Sequence, residues 1–464
     1  MMTSNMKRKE KVILAICKSG RLDAIVSALF ESKYPKKLYV LSEVKNRGLT
    51  SKAIVKTGRT DDCDLVAKFA SEINPDFVVI GPEEPLAAGV VDRLATMGIP
   101  SVGPTQALAK IEWSKAFARQ LLSEKGIPGN PEHQVFHSMT GVEAYLRTLG
   151  SFVIKPDGLT GGKGVQVSGE HIKTIDQAVS YCRELFEAKQ PAIIIEEKLD
   201  GEEFSYQSFC DGNHVVHTFP IQDHKRAGDG DTGLNTGGMG SYSCEDHLLP
   251  FLNPDHIKQA GNINSLVAAA LNEKGLKESG VPYKGILYGG FMVTKKGLRL
   301  IEYNARFGDP EIMNVLPLLE TDFIDVCEAI IQGNLNSLSI SFKKKATVCK
   351  YIVPDGYPSH PVKGLAIGNI PEASDHLRVY YAAVNDGPNG SLLMTGSRAL
   401  AVVGIGDSLA EAEKLAEDAA CRITGPVFHR RDIGTGRLIQ RRIDHMKAVV
   451  ATSNKRQPKI RQAA

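Results

Sequence analysis

The sequence predicts a multidomain protein that opens with an α/β domain and closes with a small α+β domain. Its 464 residues suffice for about three domains at ~150 residues each. Residues 12–104 alternate short apolar runs with segments of helical spacing, which is the pattern of βαβ units around a parallel sheet. From about residue 340 the pattern changes to short strands and a single helix. The fold class is therefore α/β combined with α+β.

The composition, with 42% hydrophobic and 23% charged residues, is that of a soluble globular protein. No apolar run is long enough to span a membrane, so no membrane partner is expected. The eight cysteines are scattered without a CxxC pair. This usage predicts reduced thiols in a cytoplasmic protein, rather than a disulfide framework or a zinc site.

Positive charge is concentrated at the C-terminus. Residues 437–464 contain eight Lys or Arg and one Asp, a net charge of +7, whereas the whole chain carries +3. The rest of the chain is therefore at −4, which argues against a nucleic-acid-binding core. We predict a solvated, partly disordered basic tail. An electrostatic contact with an anionic partner is the less favoured alternative.

The first region contains three predicted strands, at 12–16, 38–41 and 77–80, and helical spacing at 61–73 and 85–97. In a parallel sheet the ligand crevice lies at the carboxyl ends of the strands. No G-x-G-x-x-G follows the first strand, so a dinucleotide site is not predicted.

The middle region begins with one predicted helix over residues 105–124, with Thr105 as its N-cap. Residues 152–167 then have the pattern of a strand, a glycine-rich loop and a second strand. The loop is not a Walker A loop, because the GK[ST] ending and the following helix are absent. Its four glycines would place backbone N–H groups over phosphates, while Lys155 and Lys163 supply positive charge. A plain hairpin turn is the alternative.

An acidic cluster follows the next predicted strand. Residues 174–189 have the pattern of a helix and residues 192–196 that of a buried strand. The strand runs directly into residues 196–203, of sequence EEKLDGEE. An acidic cluster is usually a solvated turn. Because this one directly follows a strand, a hinge that holds a ribose and a base is the alternative.

Residues 222–243 form a polar, glycine-rich stretch with few side chains that could fill a core. Its six glycines are interleaved with the charged or titratable residues Asp223, His224, Lys225, Arg226, Asp229 and Asp231. A long loop without an apolar pattern is either disordered or functional. We interpret this one as a binding loop for a ligand that carries both an amine and an anion, because glycines allow backbone N–H groups to approach closely.

Residues 283–294 and 298–303 form a predicted strand pair. Glu302 and Asn304 lie two residues apart in the second strand and so point to the same face. They provide two oxygen ligands suited to Mg²⁺. Arg306 would lie on that face if the strand continued, placed to stabilise charge on a transferring phosphoryl group. For Glu302 alone, a salt bridge on an edge strand is the alternative.

Seven segments together resemble the ATP-grasp superfamily and, within it, the phosphoribosylamine–glycine ligase family. They are GPEEPLAAGVVDRL (81–94), GPTQALAKIEWSKAFA (103–118), KPDGLTGGKGV (155–165), EEKLDGEEFS (196–205), QDHKRAGDGDTGLNTGGMGSYS (222–243), EYNARFGDPE (302–311) and HRRDIG (429–434). The glycine loop and the E-x-N pair are shared across ATP-grasp enzymes. The stretch from DHKR to NTGGMG is much more specific to this ligase family.

The resemblance implies four segments: a Rossmann-like N-terminal domain (1–107), an ATP-grasp domain (108–337) with a lid at about 125–198, a C-terminal α+β domain (338–436) and a basic tail (437–464). It implies a carbon–nitrogen ligase that joins glycine to 5-phosphoribosylamine through glycyl phosphate. The products are glycinamide ribonucleotide, ADP and phosphate, in de novo purine biosynthesis. The implied cofactors are ATP and Mg²⁺ or Mn²⁺, the partners are these small substrates, and the assembly is a monomer or homodimer.

The resemblance also assigns residues. Those expected to bind ATP are Lys115, Lys155, Gly161, Gly162, Lys163, Gly164, Glu196, Lys198, Leu199 and Glu203. Those expected to bind the metal are Glu302 and Asn304. The catalytic residues are expected to be Asp223, Lys225, Arg226 and Arg306. The remaining substrate residues are expected to be Asp229, Asp231, Thr232, Gly233, Asn235, Thr236, Gly237, Gly238, Met239 and Gly240.

Two loops depart from the family pattern. Residues 19–24 are SGRLDA where the family has a motif resembling GGREHA, and residues 42–48 are SEVKNRG where it has one resembling P-G-N-x-G. Lys198 also stands where the family usually has an aromatic residue. Two alternative functions therefore accompany the glycine ligase: an ATP-grasp ligase that joins an amino acid to a different amine, and a catalytically silent nucleotide-binding relative.

Overall fold

The computed structural model describes residues 9–158 and 164–454, with backbone alone for residues 452–454. Within these ranges no helix is long and apolar enough to cross a membrane. A parallel sheet at the N-terminus and antiparallel sheets after it confirm the predicted combination of α/β and α+β architecture.

The N-terminal region is a five-stranded parallel sheet in the order β3-β2-β1-β4-β5. Its elements are β1 (Lys11–Ile16), α1 (Ser19–Phe30), β2 (Lys36–Ser42), α2 (Arg47–Thr50), β3 (Ile54–Thr57), α3 (Cys63–Ile73), β4 (Phe77–Ile80), α4 (Glu83–Ala88), α5 (Val90–Ala95) and β5 (Ser101–Val102). The central strands β1 and β4 are almost wholly buried, as expected when helices cover both faces of a parallel sheet. The predicted βαβ alternation is confirmed.

Two helices occupy the stretch predicted as one: α6 (Gln106–Trp113) and α7 (Lys115–Glu124). The chain is extended at Ser114, whose hydroxyl caps α7 by accepting from the N–H of Phe117. Asp157 accepts from the Ser114 hydroxyl at 2.9 Å and from the N–H of Ala116 at 3.1 Å. The single-helix prediction was wrong because a carboxylate from another segment satisfies the free N–H groups at the break.

Residues 133–197 contain a four-stranded antiparallel sheet in the order β6-β9-β7-β8, hereafter the lid sheet. Its elements are β6 (His133–Phe136), α8 (Val142–Leu149), β7 (Phe152–Pro156), β8 (Gln166–Val167), α9 (Ile175–Glu187) and β9 (Ile193–Glu197). Alternate apolar residues of the sheet pack against α8 and α9. The other face carries Lys155 and Glu196, which are offset by one residue from the apolar positions.

The next region is built on the four-stranded sheet β11-β10-β16-β17. Its elements are β10 (Gly201–Asp211), β11 (Val215–His217), β12 (Gln222–Asp223), β13 (Arg226–Gly228), β14 (Thr232–Asn235), β15 (Gly240–Ser243), α10 (Pro254–Ser279), β16 (Lys284–Thr294), β17 (Gly297–Asn304), α11 (Ile312–Val315) and α12 (Phe323–Gln332). The predicted strand pair around the turn at residues 295–297 is confirmed.

The polar stretch 222–243, hereafter the substrate segment, has more regular structure than predicted. Its ends pair as β12 and β15, and its middle forms the hairpin β13–β14. Met239 and Tyr242 are fully buried, so the expectation that the stretch contributes almost nothing to a core was wrong. The pairing of β15 with a strand far along the chain, which no local pattern encodes, buries them.

The C-terminal sheet has the order β12-β15-β18-β23-β20, and β24 pairs with β18. The elements that follow α12 are β18 (Ala346–Pro354), β19 (Ala366–Ile367), β20 (Leu377–Tyr381), β21 (Val384–Asp386), β22 (Leu392–Met394), β23 (Leu400–Gly406), α13 (Leu409–Arg422), β24 (Val427–Phe428) and α14 (Gly436–Asn454). Strands β19, β22 and β21 form a separate small sheet. The sheet thus includes two strands of the substrate segment, on the other side of the predicted boundary at residue 338.

Helix α14 contradicts the prediction of a solvated, partly disordered tail for its first part. Leu438, Ile439, Met446 and Val449 are buried at spacings of a helical face. The charged residues of the tail are conspicuous in the sequence, but these four apolar positions decide its structure. Residues 455–464 of the predicted tail lie outside the described residues.

A buried ion pair joins α7 to the lid sheet. Arg119 donates from Nε to Glu196 Oε1 at 2.6 Å and from Nη2 to Oε2 at 3.1 Å. It also donates to the carbonyl of Ile301 at 2.7 Å, while Lys155 Nζ lies 2.7 Å from Glu196 Oε2. Burial alone would raise the pKa of Glu196, but Arg119 and Lys155 lower it to about 2. The carboxylate therefore stays charged and links three segments.

We expect Arg119→Met to destabilise the protein by about 3 kcal/mol, the lower end for a broken buried pair because Lys155 remains. The matched control is Arg147→Met, which removes an exposed pair with Glu143 on α8. The control should cost about 0.3–0.5 kcal/mol. Urea denaturation at neutral pH measures both. Equal effects of the two substitutions would contradict the role of the buried pair.

The contribution of Glu196 should also depend on pH. Its folded-state pKa of about 2 lies below the ordinary value of 4.5. The stabilisation is therefore fully present above about pH 4.5 and is lost as the pH falls towards about 2. We expect the difference in unfolding free energy between wild type and Glu196→Gln to shrink over that window. A difference that is constant with pH would show that the charge of Glu196 contributes nothing.

Candidate active site

A small recess opens beside strands β10, β16 and β17. Four predicted site residues line it: Glu203, Asp223, Lys225 and Glu302. The other lining residues are Phe204, Ser205, Tyr288, Gly290 and Ile301. The structure thus brings residues from three separate motifs to one place.

Glu302 and Asn304 lie on one face at the end of β17. Their ladder to β16 is regular from Glu302 to Asn304, and the buried Tyr303 between them points the other way. The side chain of Glu302 is 42% exposed. The Asn304 amide makes no side-chain hydrogen bond to the part of the chain that the structure describes. Both oxygen donors are therefore available to a ligand.

Lys225 lies between two carboxylates of the recess. Its Nζ is 3.7 Å from Glu302 Oε1 and 4.0 Å from Glu203 Oε2. Burial opposes its charge, but Glu302 and Glu203 outweigh burial and raise the pKa of Lys225. Partial burial would likewise raise the pKa of Glu302, yet the charges of Lys225 and Lys155 lower it. Burial and the nearby Glu311 raise the pKa of Asp223 well above its ordinary range.

Two lysines converge from α7 and the lid sheet. Lys115 Nζ donates to the carbonyl of Gly158 at 3.2 Å, and Lys155 is bound to Glu196. Burial and the like charge of Lys155 lower the pKa of Lys115, although Glu302 raises it. Gly161, Gly162 and Lys163, which we predicted to contact phosphates, lie outside the described residues. Gly164 has φ of +82° and accepts at its carbonyl from the Tyr181 hydroxyl at 2.6 Å.

The predicted hinge residues have different environments. The carboxylate of Glu196 is already occupied by Arg119 and Lys155. Lys198 Nζ lies 3.2 Å from the carbonyl of Ser168 and 3.1 Å from Glu170 Oε1, and Leu199 is half-buried. Among these hinge residues, only Glu203, with an exposed side chain, presents a carboxylate to the recess.

Arg306 is held by two carboxylates. Its Nε lies 3.2 Å from Glu83 Oε2 and its Nη2 lies 3.0 Å from Glu112 Oε1. Burial raises the pKa of Glu112 to about 7, whereas Arg306 and Arg21 outweigh burial at Glu83 and hold its pKa at about 2. The guanidinium is close enough to lower the pKa of Glu302. Arg306 is thus a fixed positive charge beside the recess.

The hairpin β13–β14 of the substrate segment extends away from the recess. Arg226 donates to the carbonyl of Gly233 at 3.0 Å and lies 3.3 Å from Glu170 of the lid region, so it does not line the recess. Every residue of β14, including Thr232 and Asn235, is exposed. Asp229 accepts from the N–H of Arg431, and Asp231 pairs with three arginines, Arg430, Arg441 and Arg442.

The glycines after the hairpin pack closely against the recess. Thr236 donates from its N–H and hydroxyl to the carbonyl of Lys225, at 2.7 and 2.9 Å. Gly238 has φ of +110°, and a Cβ there would lie 2.6 Å from Pro310 and 2.8 Å from Asp223 Oδ1. A side chain at this position would be strained and would displace the carboxylate. Gly240 is as tightly confined, since a Cβ would lie 2.2 Å from the carbonyl of Cys349.

Arg398, which sequence reasoning missed, fixes these glycines from the loop that precedes β23. Its Nη1 donates to the carbonyls of Gly237 at 2.6 Å and Gly238 at 3.0 Å. Its Nη2 lies 3.1 Å from Asp309 Oδ2. A single arginine after a short strand carries no local signal, so the sequence alone offers no way to find it. Glu83 could have been suspected from its place at the carboxyl end of β4.

The two loops that depart from the family pattern make contacts between regions. In the first, Asp23 accepts from Lys52 Nζ at 2.5 Å and from the N–H of Tyr381 at 2.8 Å. In the second, Asn46 caps α2 and donates to the carbonyl of Val384 at 3.2 Å. These residues thus connect the parallel sheet to the C-terminal region.

Comparison with known proteins identifies the family. The chain matches the N domain (residues 11–112), the ATP-grasp (A) domain (113–312) and the C domain (347–436) of phosphoribosylglycinamide synthetase. Phosphoribosylamine–glycine ligase of Methanocella arvoryzae is 44% identical over 438 residues, which cover 94% of this chain and 99% of that protein.

Solved structures agree. The crystal structure of phosphoribosylamine–glycine ligase from Thermotoga maritima superimposes with a TM-score of 0.75 at 25% identity, covering 91% of this chain and 99% of that one. The biotin carboxylase domain of Hydrogenobacter thermophilus 2-oxoglutarate carboxylase, at 16% identity and a TM-score of 0.70 over 94% of each chain, shares the fold. The recess, the motifs and these matches together show that the chain belongs to the phosphoribosylamine–glycine ligase family of ATP-grasp enzymes.

Proposed function

We propose that the protein joins glycine to 5-phosphoribosylamine at the expense of ATP, as a ligase of purine biosynthesis. The observation that carries the proposal is the recess, where Glu302, Lys225 and Asp223 meet within electrostatic reach of Lys115 and Lys155. Relatives named phosphoribosylamine–glycine ligase align with 94% of the chain, which supports the same substrates. We place the enzyme in the cytoplasm, with small molecules as its partners.

The reaction has two steps. A carboxylate oxygen of glycine attacks the γ-phosphorus of ATP, the bond to the bridging oxygen breaks, and ADP leaves. The amine nitrogen of phosphoribosylamine then attacks the carbonyl carbon of glycyl phosphate, phosphate leaves with the bonding electrons, and the nitrogen loses a proton. In such phosphoryl transfers the protein acts through positioning and charge stabilisation.

We assign the nucleotide to the cleft between the lid sheet and the recess. Lys115 and Lys155 would bind its phosphates, Lys198 and Leu199 would flank the base, and Glu203 would accept from the ribose hydroxyls. Because Glu196 is already bound by Arg119 and Lys155, we assign its carboxylate to orienting Lys155 instead of contacting the ribose.

We assign glycine and the amine to the recess and the adjoining substrate segment. Lys225 and Arg306 are held by carboxylates and so need little reorganisation to stabilise the transferring phosphoryl group. Asp223 faces Gly238 and is the carboxylate suited to receive the proton of the amine. The backbone N–H groups of the glycine-rich segment would bind the anionic parts of the substrates.

A divalent metal fits the end of β17. Glu302 and Asn304 offer two oxygen ligands on one face, and neither is consumed by a short hydrogen bond with the described residues. Hard oxygen donors of this kind suit Mg²⁺ or Mn²⁺, with water and phosphate oxygens as the other ligands. When bound, the metal would neutralise charge on the ATP phosphates. The cations Lys225 and Arg306 beside it would do the same from the protein side.

A coupled assay for ADP tests the proposal on the purified protein. ADP release that requires both glycine and 5-phosphoribosylamine is the expected result. Turnover with glycine and a different amine would favour the divergent ligase. An absence of turnover with every pair of amino acid and amine, in a protein that still binds ATP, would contradict both ligase hypotheses and favour a silent relative.

We expect Glu302→Ala to lower kcat by at least about 10³-fold, because a transferring phosphoryl group would lose the carboxylate that binds its metal. Chelation of divalent metal should abolish activity of the wild type to the same extent, and added Mg²⁺ should restore it. Glu278→Ala, an exposed acid on α10, is the matched control. Activity of Glu302→Ala close to that of the control would remove Glu302 from the metal site.

We expect Gly238→Ala to lower kcat by about 10²-fold, because the added Cβ would displace Asp223 by a fraction of an ångström or more. The matched control is Gly98→Ala. Gly98 also has a positive φ, +72°, but nothing lies within 4 Å of its Cβ position. Thermal unfolding should show a larger loss of stability in Gly238→Ala, whose Cβ would clash with Pro310, than in Gly98→Ala, where only the positive φ is strained. A similar kcat in both would contradict the close fit of Gly238.

A further inference from the structure

Helix α14 lies beyond the residues that match the C domain of the family, which end at position 436. Its apolar face packs on the protein, and its basic face meets two acidic groups of the site region. The basic residues of this helix, which we predicted to be solvated, therefore form ion pairs within the protein.

The first acidic group is Asp231, at the tip of the hairpin β13–β14. Arg441 donates to its carboxylate and to the carbonyl of Gly230, the latter at 3.2 Å. Arg442 Nη2 donates to Asp231 Oδ2 at 2.6 Å, and Arg430 Nη1 donates to Oδ1 at 3.0 Å. Three guanidinium groups thus converge on one carboxylate whose side chain is 27% exposed.

The second acidic group is Glu202, the neighbour of the recess residue Glu203. Arg442 Nε lies 3.4 Å from Glu202 Oε2, and His445 Nδ1 lies 2.7 Å from Oε1. Arg442 therefore touches the hairpin with one end of its guanidinium and the first residues of β10 with the other. These two segments bear the predicted substrate and ribose groups.

The other contacts of the hairpin are polar: the Gly230 N–H donates to Asp432 at 2.8 Å, Asp229 accepts from the N–H of Arg431, and Arg226 lies 3.3 Å from Glu170. Every residue of β14 is exposed, and Leu234 is 57% exposed, so no apolar face anchors it. An isolated two-stranded hairpin is at best marginally stable in water. Asp231 also adopts φ of +59°, an uncommon conformation for a residue other than glycine, which persists where surrounding contacts enforce it.

The position of the hairpin is transmitted to the recess through its base. Lys225 directly precedes β13, and its carbonyl accepts both hydrogen bonds of Thr236, which directly follows β14. A rotation of the hairpin would therefore turn the backbone that carries the Lys225 side chain between Glu203 and Glu302.

We propose that Arg441 and Arg442 of helix α14 are positioning residues that dock the β13–β14 hairpin and thereby set the site for the amine substrate. The proposal rests on the proposed function for the identity of that substrate. The two arginines touch no reacting atom. They act through Asp231 and the base of the hairpin.

Steady-state kinetics of Arg441→Ala/Arg442→Ala should show KM for 5-phosphoribosylamine raised at least about tenfold, as for the loss of a charged hydrogen bond. KM for ATP should rise less than KM for the amine, because Lys115 and Lys155 are untouched and Glu202, although it loses Arg442, keeps its contact with His445. Asp231→Asn should produce the same split, and combining it with the double variant should add little. Arg442→Lys, which keeps the charge, should recover part of the loss.

The control is Lys447→Ala on the same helix, whose side chain is 71% exposed and pairs only loosely with Asp444. It should change neither KM. Hydrogen–deuterium exchange of residues 226–236 gives a second readout that needs no substrate. We expect faster exchange there in the double variant and in Asp231→Asn, with unchanged exchange in the strands of the parallel sheet.

Unchanged exchange of the hairpin together with an unchanged KM for the amine would overturn the proposal. A uniform loss of stability, with kcat and all KM values altered alike, would also overturn it, since that pattern is a general packing effect. A wild-type enzyme that does not use 5-phosphoribosylamine would contradict the proposed function instead, and the exchange measurement would still decide whether the arginines dock the hairpin.

Discussion

The buried carboxylate of Asp309 is the point on which the arrangement of the three regions depends. It accepts from the Ser19 hydroxyl of the parallel-sheet region, and from the Tyr351 hydroxyl at 2.6 Å and Arg398 at 3.1 Å in the C-terminal region. Burial would raise the pKa of Asp309, but Arg398 and these hydrogen bonds lower it. Separating the three regions would therefore be costly, because the charged Asp309 and its donors in the other two regions would be left unpaired.

The same junction determines the shape of the substrate segment. Arg398 reaches from Asp309 to the carbonyls of Gly237 and Gly238, while the segment pairs with β18 through β15. The C-terminal region therefore holds the glycines that adjoin Asp223 and the recess. Helix α14 does the equivalent for the hairpin tip. The residues that we assign to catalysis and substrate binding lie mostly in the middle of the sequence, but contacts from its last hundred or so residues keep them in place.

The cations of the site are paired with carboxylates or carbonyls. Each cation that we assign to the phosphates already has a carboxylate or carbonyl partner: Lys155 has Glu196, Arg306 has Glu83 and Glu112, Lys225 has Glu302, and Lys115 has the carbonyl of Gly158. Paired cations are held in place before the nucleotide arrives, which reduces the reorganisation that an anionic transition state requires. The pairs also prevent a cluster of like charges from destabilising the empty protein.

The sequence by itself determined the fold class, the strand pair of β16 and β17, and the same-face placement of Glu302 and Asn304, because these follow from local periodicity. It also identified the glycine-rich substrate segment, because glycines interleaved with charged residues are typical of a binding loop. Only the tertiary structure decided that the helix is interrupted at Ser114, whose hydroxyl donates to Asp157, and that Glu196 pairs with Arg119. It likewise decided that Met239 and Tyr242 lie in a core and that the basic tail begins as a docked helix. Each of these depends on a partner distant in the chain, and charge or polarity in one segment cannot reveal which opposite charge or apolar surface the fold will place against it.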